Sequence, residues 1–290
     1  MNDSSTGLPF LKGHGAENDF VIVPDPDGAI ELAPEHVRLL CDRYAGIGGD
    51  GVLHAVRSAK NPEAAHLAAD AEWFMDYRNS DGSVAEMCGN GVRVFVRHLL
   101  EAGLAEPGGD GTIPVATRAG LRRVRLEADG RLTVFMGRAE LPDSTGIEVA
   151  VGDRRWPARK IDMGNPHAVA FVDDLAQAGH LLDAPSVSPA DAYPEGVNVE
   201  FVADRGPRHV AVRVHERGSG ETRACGTGAC AVMVAAARRD GLGPEGLPAT
   251  YRVDMPGGTL EITEHPDGQI EMTGPAVIVA AGTTTLVRQG

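Results

Sequence analysis

Apolar and polar positions change period along this chain, and the changes mark its elements. Residues Leu8 to Val23 read as strand, loop, strand, with the polar cluster Lys12-Gly13-His14-Gly15-Ala16-Glu17-Asn18-Asp19 set between apolar edges. Pro34 to Arg43 has helical spacing, with Pro34 suited to a first turn. Gly46-Ile47-Gly48-Gly49-Asp50-Gly51 reads as loop, and Val52 to Val56 as a short strand. Residues 58–71 read as an exposed, alanine-rich insertion. Trp73 to Tyr77 predicts a strand that runs into the turn Arg78-Asn79-Ser80-Asp81-Gly82. Further strands are predicted at Thr112–Thr117, Leu121–Glu127 and Arg131–Met136, the last two joined by an Asp129-Gly130 hairpin. The second half is likewise rich in short strands, predicted at Ala168–Phe171, Val199–Val202, His209–Val214, Tyr251–Asp254, Thr259–Thr263 and Gln269–Thr273.

Against this strand-rich background stand two helices that are apolar nearly all round. One follows Cys88-Gly89-Asn90-Gly91 and ends near Gly103, and the other follows Cys225-Gly226-Thr227-Gly228 and runs to about Arg239. A helix with little polar face must be buried. The two cysteines are separated by close to half the chain, so the pattern predicts a duplicated architecture. The expected class is α+β: two similar domains, each a mixed, curved, barrel-like β-sheet wrapped around a central helix. Outside the cysteine motif the halves share element order rather than identity.

With 290 residues, two domains is the expectation. Hydrophobic residues make up 42% and aromatic ones 4%, so aliphatic side chains must fill the cores. A formal net charge of −14 argues against a nucleic-acid or anionic-membrane partner and leaves a small substrate open. Met1 to Thr6 is polar and lacks a basic-then-apolar signal, and no apolar run reaches about eighteen residues. The expected location is therefore the cytoplasm. The four cysteines, Cys41, Cys88, Cys225 and Cys230, are then expected as thiols. Their spacing lacks the paired steps of a zinc site, so no metal is expected.

A cysteine at a helix start faces backbone N–H groups and the positive end of the helix dipole, a setting that favours thiolate. The same N–H groups can hold a carboxylate, and glycine lets a ligand approach the backbone. Two such thiols on opposite faces of one carbon would form a matched base and acid. The plainer alternative is that both are small packing residues; two copies with matching helices weigh against it. Several other residues are suggestive without being decisive alone. Arg217, after Glu216, suits either a bidentate grip on a carboxylate or a surface ion pair. Asn165 before Pro166 suits an aimed amide or an ordinary turn. His167 suits a proton relay or a structural imidazole. Asn18, Asn79 and Asn198 each lie in a polar loop beside an apolar strand.

Taken together the segments resemble the diaminopimelate epimerase family. The resemblance rests on Gly15-Ala16-Glu17-Asn18-Asp19-Phe20, Gly46-Ile47-Gly48-Gly49-Asp50, Asn79-Ser80-Asp81-Gly82-Ser83, Cys88-Gly89-Asn90-Gly91, Gly164-Asn165-Pro166-His167, Gly196-Val197-Asn198, Glu216-Arg217-Gly218 and Ala224-Cys225-Gly226-Thr227-Gly228-Ala229. They occur in family order across residues 10–275.

The resemblance implies a cofactor-independent proton transfer that interconverts LL-2,6-diaminopimelate and its meso isomer, on the way to lysine and peptidoglycan. It implies Cys88 and Cys225 as the acid/base pair, with His167 and Glu216 supporting the site and the substrate amino group. Asn18, Asn79, Asn165, Asn198, Glu216 and Arg217 would recognise substrate. Backbone N–H groups of Gly89, Asn90, Gly226 and Thr227 would hold the reacting carboxylate. It further implies a homodimer, an N-terminal half of residues 1–130 plus 279–290, and a C-terminal half of residues 131–278.

Three departures stand out. Gly51 occupies a place where many members carry glutamine, the stretch 57–72 is longer than in compact members, and residues 276–290 run past the common ending, where fraying is expected. The nearest rival is a racemase or epimerase of the same fold acting on proline, hydroxyproline or histidine. A non-catalytic binding protein and a thiol-disulfide redox protein are further alternatives.

Overall fold

Polar alternation through Lys12, Gly13, His14 and Gly15 continues the first strand rather than ending it. In the computed structural model, which describes residues 7–287, β1 (Leu8–Gly15) and β2 (Asn18–Pro24) are joined by the two residues Ala16 and Glu17. Both have positive φ, 53° and 60°, as a tight hairpin turn demands. The loop expected over 12–19 is thus two residues long. Ala-Glu carries no turn signal of its own, which is why the pattern hid it. Met1 to Thr6 lie outside the described residues.

The chain divides into two compact units, Met1–Val134 with Pro275–Gly290, and Phe135–Gly274. In the first, β2 pairs in parallel with β3 (Gly51–Arg57), which pairs antiparallel with β4 (Trp73–Asn79). Next come β5 (Thr112–Thr117), parallel to β4, then the antiparallel β6 (Gly120–Leu126) and β7 (Leu132–Arg138). In the second unit, β8 (Glu148–Val151) pairs with both β9 (Arg154–Asp162) and the short β11 (Ser186–Ser188). The antiparallel pair β9 and β10 (Pro166–Phe171) is followed by β12 (Asn198–Gly206), parallel to β10. Then come the antiparallel β13 (His209–Glu216), with β14 (Gly220–Thr222) on it, and β15 (Ala249–Met255), parallel to β13. The antiparallel β16 (Gly258–Glu264) and β17 (Gln269–Gly274) close the series.

From β1 to β7, and again from β9 through β10, β12, β13, β15 and β16 to β17, the pairings run in one order. Each series is antiparallel, parallel, antiparallel, parallel, antiparallel, antiparallel. In each unit the second parallel step is bridged by a long helix, as a parallel connection requires. Helix α1 (Pro34–Cys41) opens on Pro34 as the pattern predicts, α2 (Gly89–Glu101) joins β4 to β5, and α3 (Gly226–Arg239) leads into β15. The duplication expected from element order is therefore present in the hydrogen-bond ladder. The fold is a two-domain, mixed-sheet α+β architecture with few helices.

Both long helices are central to their units. Strands β1 to β6 pack around α2, which buries Val92, Val94, Phe95, Val96 and Leu99 completely. Each such side chain contributes on the order of 1.5–3 kcal/mol. Helix α3 is buried at every residue from Gly228 to Ala237 among β9, β10, β12, β13, β15, β16 and β17. Its run of alanines lets those strands approach closely. Polar residues are buried on α2 as well, Asn90, Arg93 and His98 among them; Arg93 is fully buried and donates to Asn90 Oδ1 at 2.8 Å and to the Pro275 carbonyl at 3.4 Å.

Two regions differ from expectation. Residues 58–71 form short 3-10 turns at Ser58–Lys60 and Ala65–Leu67, and Ala64 and Ala71 are buried in a cluster with Phe74 and Ala116. Small alanines read as exposed because they carry no periodic signal. The tail is not frayed over its described part: β18 (Val277–Thr284) pairs antiparallel with β1 from Leu8↔Thr284 to His14↔Val277, and Val287 is buried. Most of its side chains are exposed, so alternation could not announce it; the outer edge of β1 supplies the partner. Residues 288–290 lie outside the described part.

Candidate active site

Each cysteine of the repeated motif is the N-cap of its helix. Cys88 has φ −140° and ψ 120°, and its Sγ accepts from Gly91 N at 3.4 Å. Cys225 has φ −119° and ψ 115°, and its Sγ accepts from Gly228 N at 3.3 Å. The sulfur replaces the usual capping oxygen on the third helical N–H. The first intrahelical bonds are Val92 N to Cys88 O and Ala229 N to Cys225 O. The N–H groups of Gly89 and Asn90, and of Gly226 and Thr227, lie ahead of these bonds in the first turn, where backbone donors and the helix dipole suit an anion. All four cysteines are thiols.

In the first unit Asn18, at the start of β2, joins this cap. Cys88 Sγ donates to Asn18 Oδ1 at 3.6 Å and Asn90 Nδ2 donates to the same oxygen at 3.2 Å. Asn18 Nδ2 is turned the other way, to Asp50 Oδ2 at 2.7 Å, which fixes the amide orientation. Asp50 is held in turn by Arg43 at 2.8 Å. Arg43 also grips Asp19 at 2.7 and 3.1 Å, and Lys12 reaches Asp19 at 2.5 Å. Burial works against the charge on Asp19, yet Arg43 and Lys12 hold its carboxyl down to about 2. Asn79 ends β4 opposite Gly51 and bonds to Ser83 Oγ at 3.0 Å, not to the Cys88 group. Its turn touches the same scaffold through Ser80 N to Asp50 O at 3.1 Å. A Cβ on Gly51 would lie 2.5 Å from Arg78 O and 2.7 Å from Tyr77 Cε2, so this backbone has no room for a side chain there.

The second unit repeats the arrangement with different chemistry. Asn165, just before β10, donates from Nδ2 to Thr227 Oγ1 at 3.3 Å, and Thr227 Oγ1 lies 3.5 Å from Cys225 Sγ. So in each unit an asparagine at a strand start meets the second residue of the helix. His167 Nε2 lies 3.1 Å from Asn165 Oδ1, and its Nδ1 lies 2.6 Å from Glu200 Oε1. Neither side chain of the His167–Glu200 pair has any solvent exposure. Burial pushes the Glu200 carboxyl up, with His167 pulling the other way. Tyr193 OH donates to the His167 carbonyl at 3.3 Å.

Asn198, opposite His167 in the β10–β12 register, accepts from Arg217 N at 2.9 Å, while Arg217 Nη1 donates to the Glu195 carbonyl at 3.1 Å. Glu216 accepts a short bond from the Thr222 hydroxyl, and its charge acts on Cys225.

That last effect changes the expectation for the thiol. Burial pushes the Cys225 thiol well up and the charges of Glu216 and Glu200 add to the rise, against hydrogen bonds from Thr227 and Gly228 N. The helix start alone predicts a lowered thiol; here desolvation and two carboxylates outweigh it. Two residues important to the geometry escaped the sequence pattern: Asp50, which orients Asn18, and Glu200. Glu200 had one signal, a charge inside the apolar strand Val199-Glu200-Phe201-Val202.

The chain matches a family model described as diaminopimelate epimerase over residues 10–142 and 159–279. A diaminopimelate epimerase of Streptomyces coelicolor is 68% identical over 280 residues, covering 96% of this chain and 96% of the relative. One from Thermobifida fusca is 46% identical, covering 96% and 98%, and one from Corynebacterium glutamicum is 44% identical, covering 95% and 97%. Among solved structures, a PhzF-family phenazine biosynthesis protein of Bacillus anthracis aligns with TM-score 0.68 at 16% identity over 96% of this chain and 98% of that one. A hydroxyproline epimerase of Agrobacterium vitis aligns with TM-score 0.63 at 15% identity, over 97% and 93%. At such identities these two structures speak for the fold alone.

Proposed function

The chain belongs to the diaminopimelate epimerase family, and from that premise we propose a two-thiol mechanism carried by Cys88 and Cys225. The enzyme is an isomerase that interconverts LL-2,6-diaminopimelate and the meso isomer, a step towards lysine. The observation that carries the mechanism is the matched geometry of the two caps: a cysteine sulfur on the third helical N–H, twice, with the same backbone conformation.

In this reading one sulfur, as thiolate, takes the α proton and becomes a thiol. The electron pair left on carbon spreads into the carboxylate as an enediolate. The opposite thiol then gives its proton to the other face and becomes the thiolate. Substrate carboxylate oxygens sit at the helix-start N–H groups of Gly89, Asn90, Gly226 and Thr227, which strengthen their hold as charge develops there. The raised thiol of Cys225 favours that residue as the protonated member at rest. His167 and Glu216 support the reacting end. Asn18, Asn79, Asn165, Asn198 and Arg217 recognise the amino-acid groups of the substrate. The functional halves are residues 1–130 plus 279–290 with Cys88, and 131–278 with Cys225. No metal or organic cofactor takes part. By the same family reading the enzyme works in the cytoplasm as a homodimer; no helix among the described residues is long and apolar enough to cross a membrane.

The test is deuterium wash-in from D2O with diaminopimelate, proline, hydroxyproline and histidine as substrates. Exchange at the α carbon is expected from diaminopimelate alone. Cys88→Ala and Cys225→Ala should each lose about 10³-fold in epimerisation, within the usual span for removing an acid or base. Turnover by either variant above about a tenth of wild type would refute the two-thiol assignment.

A further inference from the structure

We propose that Glu200 is a positioning residue for the epimerase site: its carboxyl group holds the His167 ring by Nδ1, so that Nε2 stays against Asn165 Oδ1 as a hydrogen-bond donor on the Cys225 side. The inference rests on the reading above, in which the Cys225 cluster is half of the reacting centre.

Successive β12 side chains point to opposite faces of the sheet. Val199 and Phe201 enter an apolar core with Val149, Ala168, Ala170 and Leu181. Asn198 and Glu200 take the other face, where α3 begins. Glu200 Oε1 lies so close to the first turn of α3 that a Cβ on Gly228 would stand 2.9 Å from it. The fourth residue of the Cys-Gly-Thr-Gly motif is thus glycine where a carboxyl group needs the space.

A buried carboxyl group is an expensive way to fill a core position. Glu200 has no exposure, and its Oε2 has no hydrogen-bond partner among the described residues. Packing alone would favour leucine here. What the carboxyl adds is the 2.6 Å contact to His167 Nδ1.

Proton counting gives that contact its consequence. A proton must lie between Nδ1 and Oε1, on either atom. Asn165 turns Nδ2 to Thr227 and Oδ1 to the ring, so Nε2 faces an acceptor at 3.1 Å and carries a proton too. Nε2 is a donor for as long as the ring is held with that atom against Asn165 Oδ1, and the Glu200 contact at Nδ1 is what holds it there. Burial of Glu200, which pushes its carboxyl up, favours keeping that shared proton. Asn165, Thr227 and Cys225 then form a chain of contacts from the ring to the sulfur, at 3.1, 3.3 and 3.5 Å.

The experiment compares Glu200→Gln with Glu200→Leu in the full-length enzyme. Gln can still bond Nδ1 and leave Nε2 as donor; Leu cannot. Glu200→Gln should keep kcat within about fivefold of wild type. Glu200→Leu should lose about 100-fold in kcat, with KM within about threefold and the melting temperature not lowered. Nitrogen-15 histidine NMR on the ligand-free protein should show His167 Nε2–H in wild type and Glu200→Gln, and a mixture of tautomers in Glu200→Leu. If the Leu variant does not accumulate as folded protein, Glu200→Ala takes its place with the same expectations for kcat, KM and the tautomer, and with a lowered melting temperature from the cavity it leaves. The proposal is overturned if the apolar variant turns over within about threefold of wild type, if both variants lose activity equally, or if activity falls with the tautomer unchanged. Absence of diaminopimelate epimerisation in wild type would instead sink the functional reading, and the NMR comparison would still report on the pair.

Discussion

Glu200 Oε1 and Gly228 are in such close approach that a Cβ on the glycine would stand 2.9 Å from the oxygen, with Cys225 Sγ at 3.2 Å. Neither neighbour is at liberty to move: the carboxyl is buried on His167, and the sulfur caps α3. Gly228→Ala is therefore expected to destabilise the protein by about 1–3 kcal/mol, the usual range for overpacking. It should also cut epimerisation at least about tenfold, because both displaced groups belong to the site. Gly243 has nothing within 4 Å of its would-be Cβ, so Gly243→Ala should match wild type in both assays. Denaturant melts and deuterium exchange check the pair. Equal behaviour of the two variants would contradict the packing argument.

Acid should remove a definite part of the stability through Asp19. Its carboxyl lies at about 2 in the folded protein, because Arg43 and Lys12 outweigh its burial, and at about 4 in an unfolded chain. A lowered folded value means that stability is fully present above the unfolded value and is lost as pH falls from about 4 through about 2. The shift corresponds to about 2.5 kcal/mol, reduced to about 1–2 kcal/mol because the Arg43 partner is half exposed. Asp19→Asn should thus be less stable than wild type by that amount at pH 7, with the gap constant down to about pH 5 and closing below about pH 4. A gap that persists unchanged to about pH 3 would show that Asp19 acts through packing rather than charge.

Cys225 is expected to alkylate slowly at neutral pH. Burial, Glu216 and Glu200 all raise its thiol, and the thiolate is the reacting form. In a Cys88→Ala background, iodoacetamide modification of Cys225, followed by peptide mass mapping, should rise steadily up to at least about pH 9. Rapid modification at about pH 7 would overturn the assignment of Cys225 as the protonated member at rest.

What could be read from the chain in advance depended on range. The caps at Cys88 and Cys225 are local events of a few residues, so the motif and the apolar run behind it announced both helices and their burial. The duplicated design was legible as element order. The strand ladder that proves it needs pairings such as β4 with β5 and β13 with β15, which no local pattern contains. The β1–β2 turn was missed because Ala16 and Glu17 adopt positive φ without glycine or asparagine. Strand β18 was implied by the family resemblance alone, because its exposed side chains carry no alternation, while its partner lies at the other end of the chain.

The same division holds within the site. Residue type and short spacing were enough to establish the thiols, the helix starts that they cap, and the asparagines, imidazole and guanidinium that follow in family order. Hydrogen bonding to a first turn follows from such local features directly. Which groups face which emerged only once the chain was folded. Folding seated Asp50 behind Asn18, brought Glu200 from β12 onto His167 of β10, and closed the Gly51 position to any side chain. It also turned the expected lowering of the Cys225 thiol into a rise, because desolvation and the fields of distant carboxylates depend on what packs around an atom rather than on what precedes it in the chain.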